Sequence, residues 1–233
     1  NSNKLGASLT IPYFSAISES SDLTFKPRIF SDNEFLIQSE YRQETKNSSH
    51  IADFSFNNDE SISNDTRTHF FSNSKINLEN NFLDEGSLFV KLEKVSNDNY
   101  ASIYSLESSS PIIKDTSTLE SSVEFSGVKN DYYIDVSGEV YEKMNLPNSD
   151  KYEYVYPNYS ISKIFNVENN FLDNYEATTS GHQKKYSTNI YEMSQVNDLL
   201  FSSNNFILSD TFSSDFRSLI KNVNTKSKNS GTY

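Results

Sequence analysis

Apolar and polar residues alternate with a period of two along most of this chain, and runs at helical spacing are rare. In NEFLIQSEYRQ, Phe35, Ile37 and Tyr41 alternate with Glu34, Gln38 and Glu40. Successive side chains of an extended backbone point to opposite faces, so this spacing predicts a strand with one apolar and one polar face. SLFVKLEKV repeats the pattern, with Leu88, Val90 and Leu92 against Lys91 and Glu93. DYYIDVSGEVYEKM does so with Tyr132, Ile134, Val136 and Val140 against Asp135, Ser137 and Glu139, and in FFSNSKINLEN the small Ser72 and Ser74 share a face with Phe70, Ile76 and Leu78.

The segments run to about ten residues, whereas strands of soluble sandwiches average ~5–6. A strand tilted across a bilayer needs ~9–11 residues, and membrane barrels are built from such alternating segments with a polar lumen. The pattern predicts an all-β fold: an antiparallel up-and-down meander of roughly ten to twelve strands, forming part of a transmembrane β-barrel. We read residues 1–233 as one unit. Linkers rich in Ser, Asn, Asp and Gly at 31–33, 46–49, 57–65, 80–86, 145–150 and 178–185 supply turn chemistry. The least regular stretch, 97–117, is expected to be a loop bearing a short strand or a helical turn around Tyr100–Leu106. Beyond residue 196 apolar positions persist into a polar tail, so the meander is expected to stop part-way through its architecture.

Composition narrows the classes. Apolar residues make up 35% of the chain and the formal net charge is −12, a balance that suits a solvated chain, but 15 Tyr and 17 Phe require packing partners. The 20 Lys and Arg are scattered among 32 Asp and Glu without a basic stripe, which argues against a nucleic-acid partner. With no cysteine, a disulfide scaffold and a thiolate metal site are excluded from this stretch. No apolar run approaches the roughly 20 residues of a membrane-spanning helix. The opening NSNKLGASLT lacks the charged start and apolar stretch of a secretory signal, so the chain reads as a fragment or mature segment whose export signal, if any, lies upstream.

Little in the sequence points to catalysis. His50, His69 and His182 lie far apart with no partner at metal-ligand spacing, so no metal site is expected and each histidine is expected to face solvent or a lumen. There is no nucleophile elbow or phosphate loop, and the acidic pairs Asp59–Glu60 and Asp84–Glu85 sit in turn-like stretches. We expect no enzyme and no cofactor. Tyr152, Tyr154, Tyr156 and Tyr159 in KYEYVYPNY fit either cross-strand packing or an interfacial aromatic girdle, which the strand lengths favour.

Two prolines, Pro12 and Pro27, fall in the first two predicted strands, in SLTIPYFSAISESSDLTFKPRIF. Proline gives no N–H to a ladder and keeps to edges, strand ends and bulges. Either these positions are strand ends or bulges, or they remove ladder bonds within the strands. The surrounding residues resemble the start of the barrel in the LPS-assembly (LptD/OstA) family of outer-membrane proteins: Leu9, Pro12-Tyr13-Phe14, Ile17, Asp22, Thr24, Pro27-Arg28 and Glu40-Tyr41-Arg42 stand in the family's order. The resemblance is dense from residue 6 to about 56; SNDNYASIY at 96–104 resembles a later segment weakly, and YVYPNYSISKIF at 154–165 resembles a strand that begins with a proline-containing turn. Ser15 stands where the family often has tryptophan, and Asp32-Asn33 replace an Arg-Gly turn.

The resemblance implies a cell-outer-membrane barrel that receives lipopolysaccharide from a periplasmic LptA-like bridge and releases it sideways into the outer leaflet. Pro12 and Pro27 would be lateral-gate residues, weakening the junction of first and last strands, and an LptE-like plug lipoprotein would be a partner. The family's N-terminal jelly-roll domain, which meets the bridge, and the closing strands would lie outside this chain. Alternatives built on the same alternation are another outer-membrane barrel acting as channel or receptor, an exported β-rich adhesin, and a soluble sandwich, which the strand lengths disfavour. A barrel and a sandwich differ in which strand faces are apolar and what covers them.

Overall fold

A computed structural model describes residues 6–31, 34–58, 66–79, 82–113, 115–167, 169–186 and 190–228. Its strands are β1 (Ser8–Thr10), β2 (Tyr13–Ser18), β3 (Ser21–Phe30), β4 (Phe35–Glu44), β5 (Ser48–Asn58), β6 (Thr66–Asn77) and β7 (Glu85–Val95). Two short helical turns follow, α1 (Tyr100–Ile103) and α2 (Leu106–Ser109). The chain continues through β8 (Thr118–Lys129), β9 (Tyr132–Lys143), β10 (Tyr152–Asn166), β11 (Leu172–Tyr186), β12 (Ile190–Ser203), β13 (Phe206–Ser209), β14 (Phe212–Ser214) and β15 (Arg217–Lys228).

The main sheet runs β1-β3-β4-β5-β6-β7-β8-β9-β10-β11-β12-β15, with β2 also on β3, and β13 and β14 form a separate hairpin. This is the expected antiparallel meander. No closed barrel forms among the described residues. The alternating segments singled out above all lie in strands: β4, β6, β7 and β9. Turns occupy 145–150, and the irregular 97–117 stretch carries α1 and α2. Linker residues 32–33, 59–65 and 80–81 lie outside the described residues.

Two expectations fail. The stretch 178–185 is not a turn but the second half of β11, paired with β12 from Thr178↔Asp198 to Lys185↔Tyr191. Its Gly181 is there because the backbone is crowded: a Cβ would sit 2.5 Å from the Ser194 carbonyl and 2.9 Å from the Tyr159 hydroxyl. A glycine inside a strand marks such close approach rather than a turn. Likewise Pro157 does not open a strand; it lies five residues past the start of β10.

The chain divides into two compact units. The first comprises Asn1–Asn77, Leu88–Val123 and Glu139–Glu153. Its strands β3 to β6 sort their side chains by polarity. One face carries Phe25, Ile29, Phe35, Phe54, Phe56 and Phe70, all exposed, with Ile29 opposite Phe35 and Phe54 opposite Phe70. The other carries Gln38, Glu40, Asp53, Ser55, Asn57 and His69, all buried. The apolar core of this unit gathers on that second face, where Phe30, Leu36 and Phe71 pack with Tyr100, Tyr104 and Leu106 of the insertion between β7 and β8.

The second unit comprises Leu78–Ser87, Glu124–Gly138 and Tyr154–Tyr233. Asn130 and Asp131, both at positive φ (46° and 65°), make the two-residue turn from β8 to β9, a conformation that suits the twist of an antiparallel pair. Across β10 and β11, Phe165 stacks on Tyr175 with centroids 4.6 Å apart, and Lys163 lies 4.0 Å from the Tyr132 ring centre. Lys221 pairs with Asp198 at 2.9 Å between β15 and β12. Tyr156 and Tyr159 of KYEYVYPNY take part in cross-strand packing: Tyr159 reaches over Gly181, and Tyr156 over Gly138, where a Cβ would meet its ring at 3.2 Å.

The two glycines differ in what blocks a side chain. Gly181→Ala meets a backbone carbonyl and is expected to destabilise the chain by about 1–3 kcal/mol. Gly138→Ala meets only a movable ring and is expected to change stability by less than about 1 kcal/mol. Equilibrium unfolding of both variants checks the order; equal effects would contradict the packing described.

Candidate functional site

The first strand is one lane in a single register, interrupted at two residues. Thr10 pairs with Arg28 and Tyr13 with Phe25, so Ile11 falls opposite Pro27 and Pro12 opposite Lys26. Two prolines fifteen residues apart in sequence therefore meet one register step apart. Pro12 sits at the break between β1 and β2, whereas Pro27 lies inside β3, opposite Ile37 of β4.

The main-chain accounting is asymmetric. Ile11 N–H donates to the Pro27 carbonyl at 3.1 Å, and Pro27 has no N–H to return the bond. In an antiparallel pair the N–H and C=O of one residue point to the same neighbour. The donor missing at Pro27 thus belongs to its contact with the first strand, and the donor missing at Pro12 belongs to the other edge of that strand. The contact between the first strand and β3 has lost a donor of β3, and the outer edge of the first strand has lost a donor of its own.

Several of the residues that carry the resemblance noted in the sequence join across β3 and β4. Asp22 pairs in register with Arg42, and Thr24 with Glu40. Arg42 Nε lies 3.0 Å from Asp22 Oδ1 and 3.6 Å from Glu40 Oε1, and Lys26 Nζ lies 2.7 Å from Glu40 Oε2. The result is a ladder of alternating charge on the polar face. Phe14, opposite Thr24, shares that face; Tyr13, 71% exposed, stands on the apolar one opposite Phe25. Tyr41 is also on the apolar face, opposite Leu23, with its ring edge-on to His50 at 6.0 Å.

Beside the ladder, the insertion covers the polar face. The Tyr100 hydroxyl shares a hydrogen bond with Ser55 Oγ, and Ser55 Oγ lies 2.5 Å from His69 Nδ1. His69 Nε2 is 3.4 Å from Asp53 Oδ1, with both side chains wholly buried, and Gln38 Nε2 donates to Asp53 Oδ1 at 3.1 Å. Asn57 Nδ2 donates to the Tyr104 hydroxyl, which donates to Glu34 Oε2 at 3.3 Å. Burial pushes the phenol pKa of both Tyr100 and Tyr104 up, so both stay neutral and keep their protons for these bonds. Ser55, His69 and Asp53 have the order of a nucleophile, base and acid, but Ser55 meets Tyr100 instead of an open pocket. In this state the cluster anchors the insertion.

His69 is therefore covered by α1 on the polar face; of the two settings expected, solvent or a lumen, the first is ruled out. Two features carried the missed signal: Tyr100 and Tyr104 one helical turn apart in a chain of period two, and Asp53, Ser55 and Asn57 alternating with Phe54 and Phe56. Among the described residues no group of His, Cys, Asp or Glu is placed to hold a metal ion. In the second unit an open concavity of about 400 Å³ is lined by polar groups including Glu124, Asp135, Asn158, Ser180, His182 and Ser194. Searches against protein-family models and against curated proteins returned no match.

The insertion is tied down at its start by Asp98, which accepts from Lys151 Nζ at 2.6 Å and from the Asn145 N–H at 3.0 Å. The Lys151 bond holds the Asp98 carboxyl below the usual aspartate value. A folded pKa below the unfolded one means that the stabilisation is present above the free-carboxylate range, and is lost as pH falls through the depressed value. An NMR titration is expected to place the Asp98 midpoint below about 3.9 and to move it upward in Lys151→Met. An unshifted midpoint in the parent chain would contradict the pairing.

Proposed function

We propose that this chain is part of an outer-membrane β-barrel that passes lipopolysaccharide into the outer leaflet, opening sideways at its first strand. The observation that carries the membrane reading is the sorting of the two faces in the first unit. A row of phenylalanines and isoleucines lies exposed on one face, while carboxylates, amides and hydroxyls lie buried on the other. A soluble sandwich needs the reverse, with apolar faces meeting in a dry core. A barrel in lipid uses an apolar outer band and a polar interior. Strands of 10–15 residues from β3 to β12 have the length to cross at a tilt.

Support for the lateral opening is the meeting of Pro12 and Pro27 in adjacent lanes, together with the residues shared with the LPS-assembly family. A main-chain hydrogen bond contributes about 1 kcal/mol net, so a strand that lacks one bond to β3 and one donor on its outer edge separates more readily than its neighbours. On this reading the jelly-roll domain, the LptA-like bridge and the LptE-like plug lipoprotein complete the machine around the chain, and lipopolysaccharide is its cargo.

Two experiments test the reading separately. Phe54→Lys places a charge on the exposed apolar face; it is expected to cost about 2–4 kcal/mol of stability in a bilayer and little in water. Folding of the variant into lipid vesicles as readily as the parent would defeat the membrane reading. Replacing Pro12 and Pro27 by alanine in the full-length protein restores both donors and is expected to tighten the first strand and impair lipopolysaccharide export. Unchanged export would leave the gate without support even if the membrane reading stands.

A further inference from the structure

Arg28 stands where three elements meet. Its Nε donates to Ser8 Oγ of β1 at 3.0 Å, and its Nη1 donates to the Tyr104 carbonyl of the insertion at 2.8 Å. The guanidinium lies 4.7 Å from the Phe30 ring centre, and Phe30 packs on Tyr104 with centroids 5.9 Å apart. A planar guanidinium fixes the directions of its donors, so both bonds are made only while β1 and Tyr104 are in place. Arg28 also follows Pro27 directly, at the point where the ladder to the first strand lacks a donor.

The partners on either side differ in strength. Strands β3 to β6 are held by continuous main-chain ladders. The insertion is seated by side chains: Tyr100 on Ser55, Tyr104 on Asn57 and Glu34, and Gln38 on the Ser109 carbonyl at 3.4 Å. Lifting the insertion therefore breaks no main-chain ladder, but it must break these bonds and expose the buried Tyr100, Tyr104 and Leu106.

We propose that Arg28 is a positioning residue that couples the insertion to the first strand. While the insertion is seated on the polar face, Tyr104 holds the guanidinium in the orientation that clasps Ser8 across the proline-weakened junction. When the insertion lifts, the clasp is released and the first strand loosens. Linkage makes the effect mutual: loosening the first strand also loosens the insertion. The inference rests on geometry within the first unit and does not require that lipopolysaccharide be the cargo.

Hydrogen exchange of the intact chain tests the coupling without any lipid substrate. In Arg28→Met, amides of residues 8–16 are expected to exchange about five-fold faster, the loss of one or two net hydrogen bonds. Replacing residues 100–109 by a Gly/Ser linker of equal length is expected to speed the same amides to a similar extent, and to add nothing in the Arg28→Met background. Ser8→Ala, an exposed and conservative change, is expected to speed exchange of residues 100–109 by about two-fold or more. Amides of β11 and β12 serve as the control and stay unchanged. A purely local role for Arg28 would leave residues 100–109 untouched in Ser8→Ala, or give additive effects in the double variant. Either result overturns the coupling, and the Ser8→Ala arm decides the matter if the linker variant does not fold.

Discussion

A strand that alternates at every second residue carries two surfaces that need different surroundings, and a sheet of such strands cannot satisfy both with water. On β3 to β6 the polar surface is resolved from within the chain. Asp53, Ser55, Asn57 and His69 are withdrawn from solvent by the insertion, and burying such groups costs free energy unless each finds a partner. The tyrosines are suited to this because each brings a large apolar ring to the core and a hydroxyl to the network. The same residues therefore hold the insertion down and make burial of the polar face affordable in free-energy terms. Among the described residues of the first unit the apolar surface has no such cover, and the proposed bilayer is what would meet it.

The first strand departs from this scheme because its weakness is in the main chain and its compensation is in side chains. Over most of the sheet the ladders run without interruption, as in the twelve-residue register between β12 and β15. At Ile11–Pro27 a reciprocal pair of bonds is reduced to one. Near that point stand a charge ladder from Asp22 to Lys26 on one side and the Arg28 bond to Ser8 on the other. Ladder bonds are fixed by the backbone, but a guanidinium bond can be made or lost with a rotamer change. Strength at this edge is thus adjustable by a rotamer change.

What the sequence disclosed follows from which interactions are local. Alternation is a property of neighbouring residues, so the strands around Phe35, Val90 and Ile134 were legible; around Tyr100 the sequence left a short strand and a helical turn open, and the turn is what forms. The register between strands is non-local, and the meeting of Pro12 with Pro27 emerged only when β1, β2 and β3 were aligned. Gly181 misled because the reason for it, the Tyr159 hydroxyl and the Ser194 carbonyl, comes from two other strands. The cover over His69 was hidden for the same reason: nothing adjacent to it indicates that Tyr100, thirty-one residues on, packs against it. Pro157 shows that a proline can sit within a strand when its neighbours tolerate the missing donor.

These non-local features share a cause. Each is a place where alternation alone would leave a group unsatisfied, and where a residue from a distant segment supplies what is missing. Tyr159 fills the gap above a glycine, Tyr100 covers a buried histidine, and Arg28 spans a ladder lacking a donor. The three differ in how far they can move. Tyr159 and Tyr100 are held by close packing, whereas the Arg28 guanidinium is held between an exposed serine and the Tyr104 carbonyl by two hydrogen bonds. Motion that begins in the insertion accordingly has a direct covalent and hydrogen-bonded path to the first strand, through one side chain and two bonds.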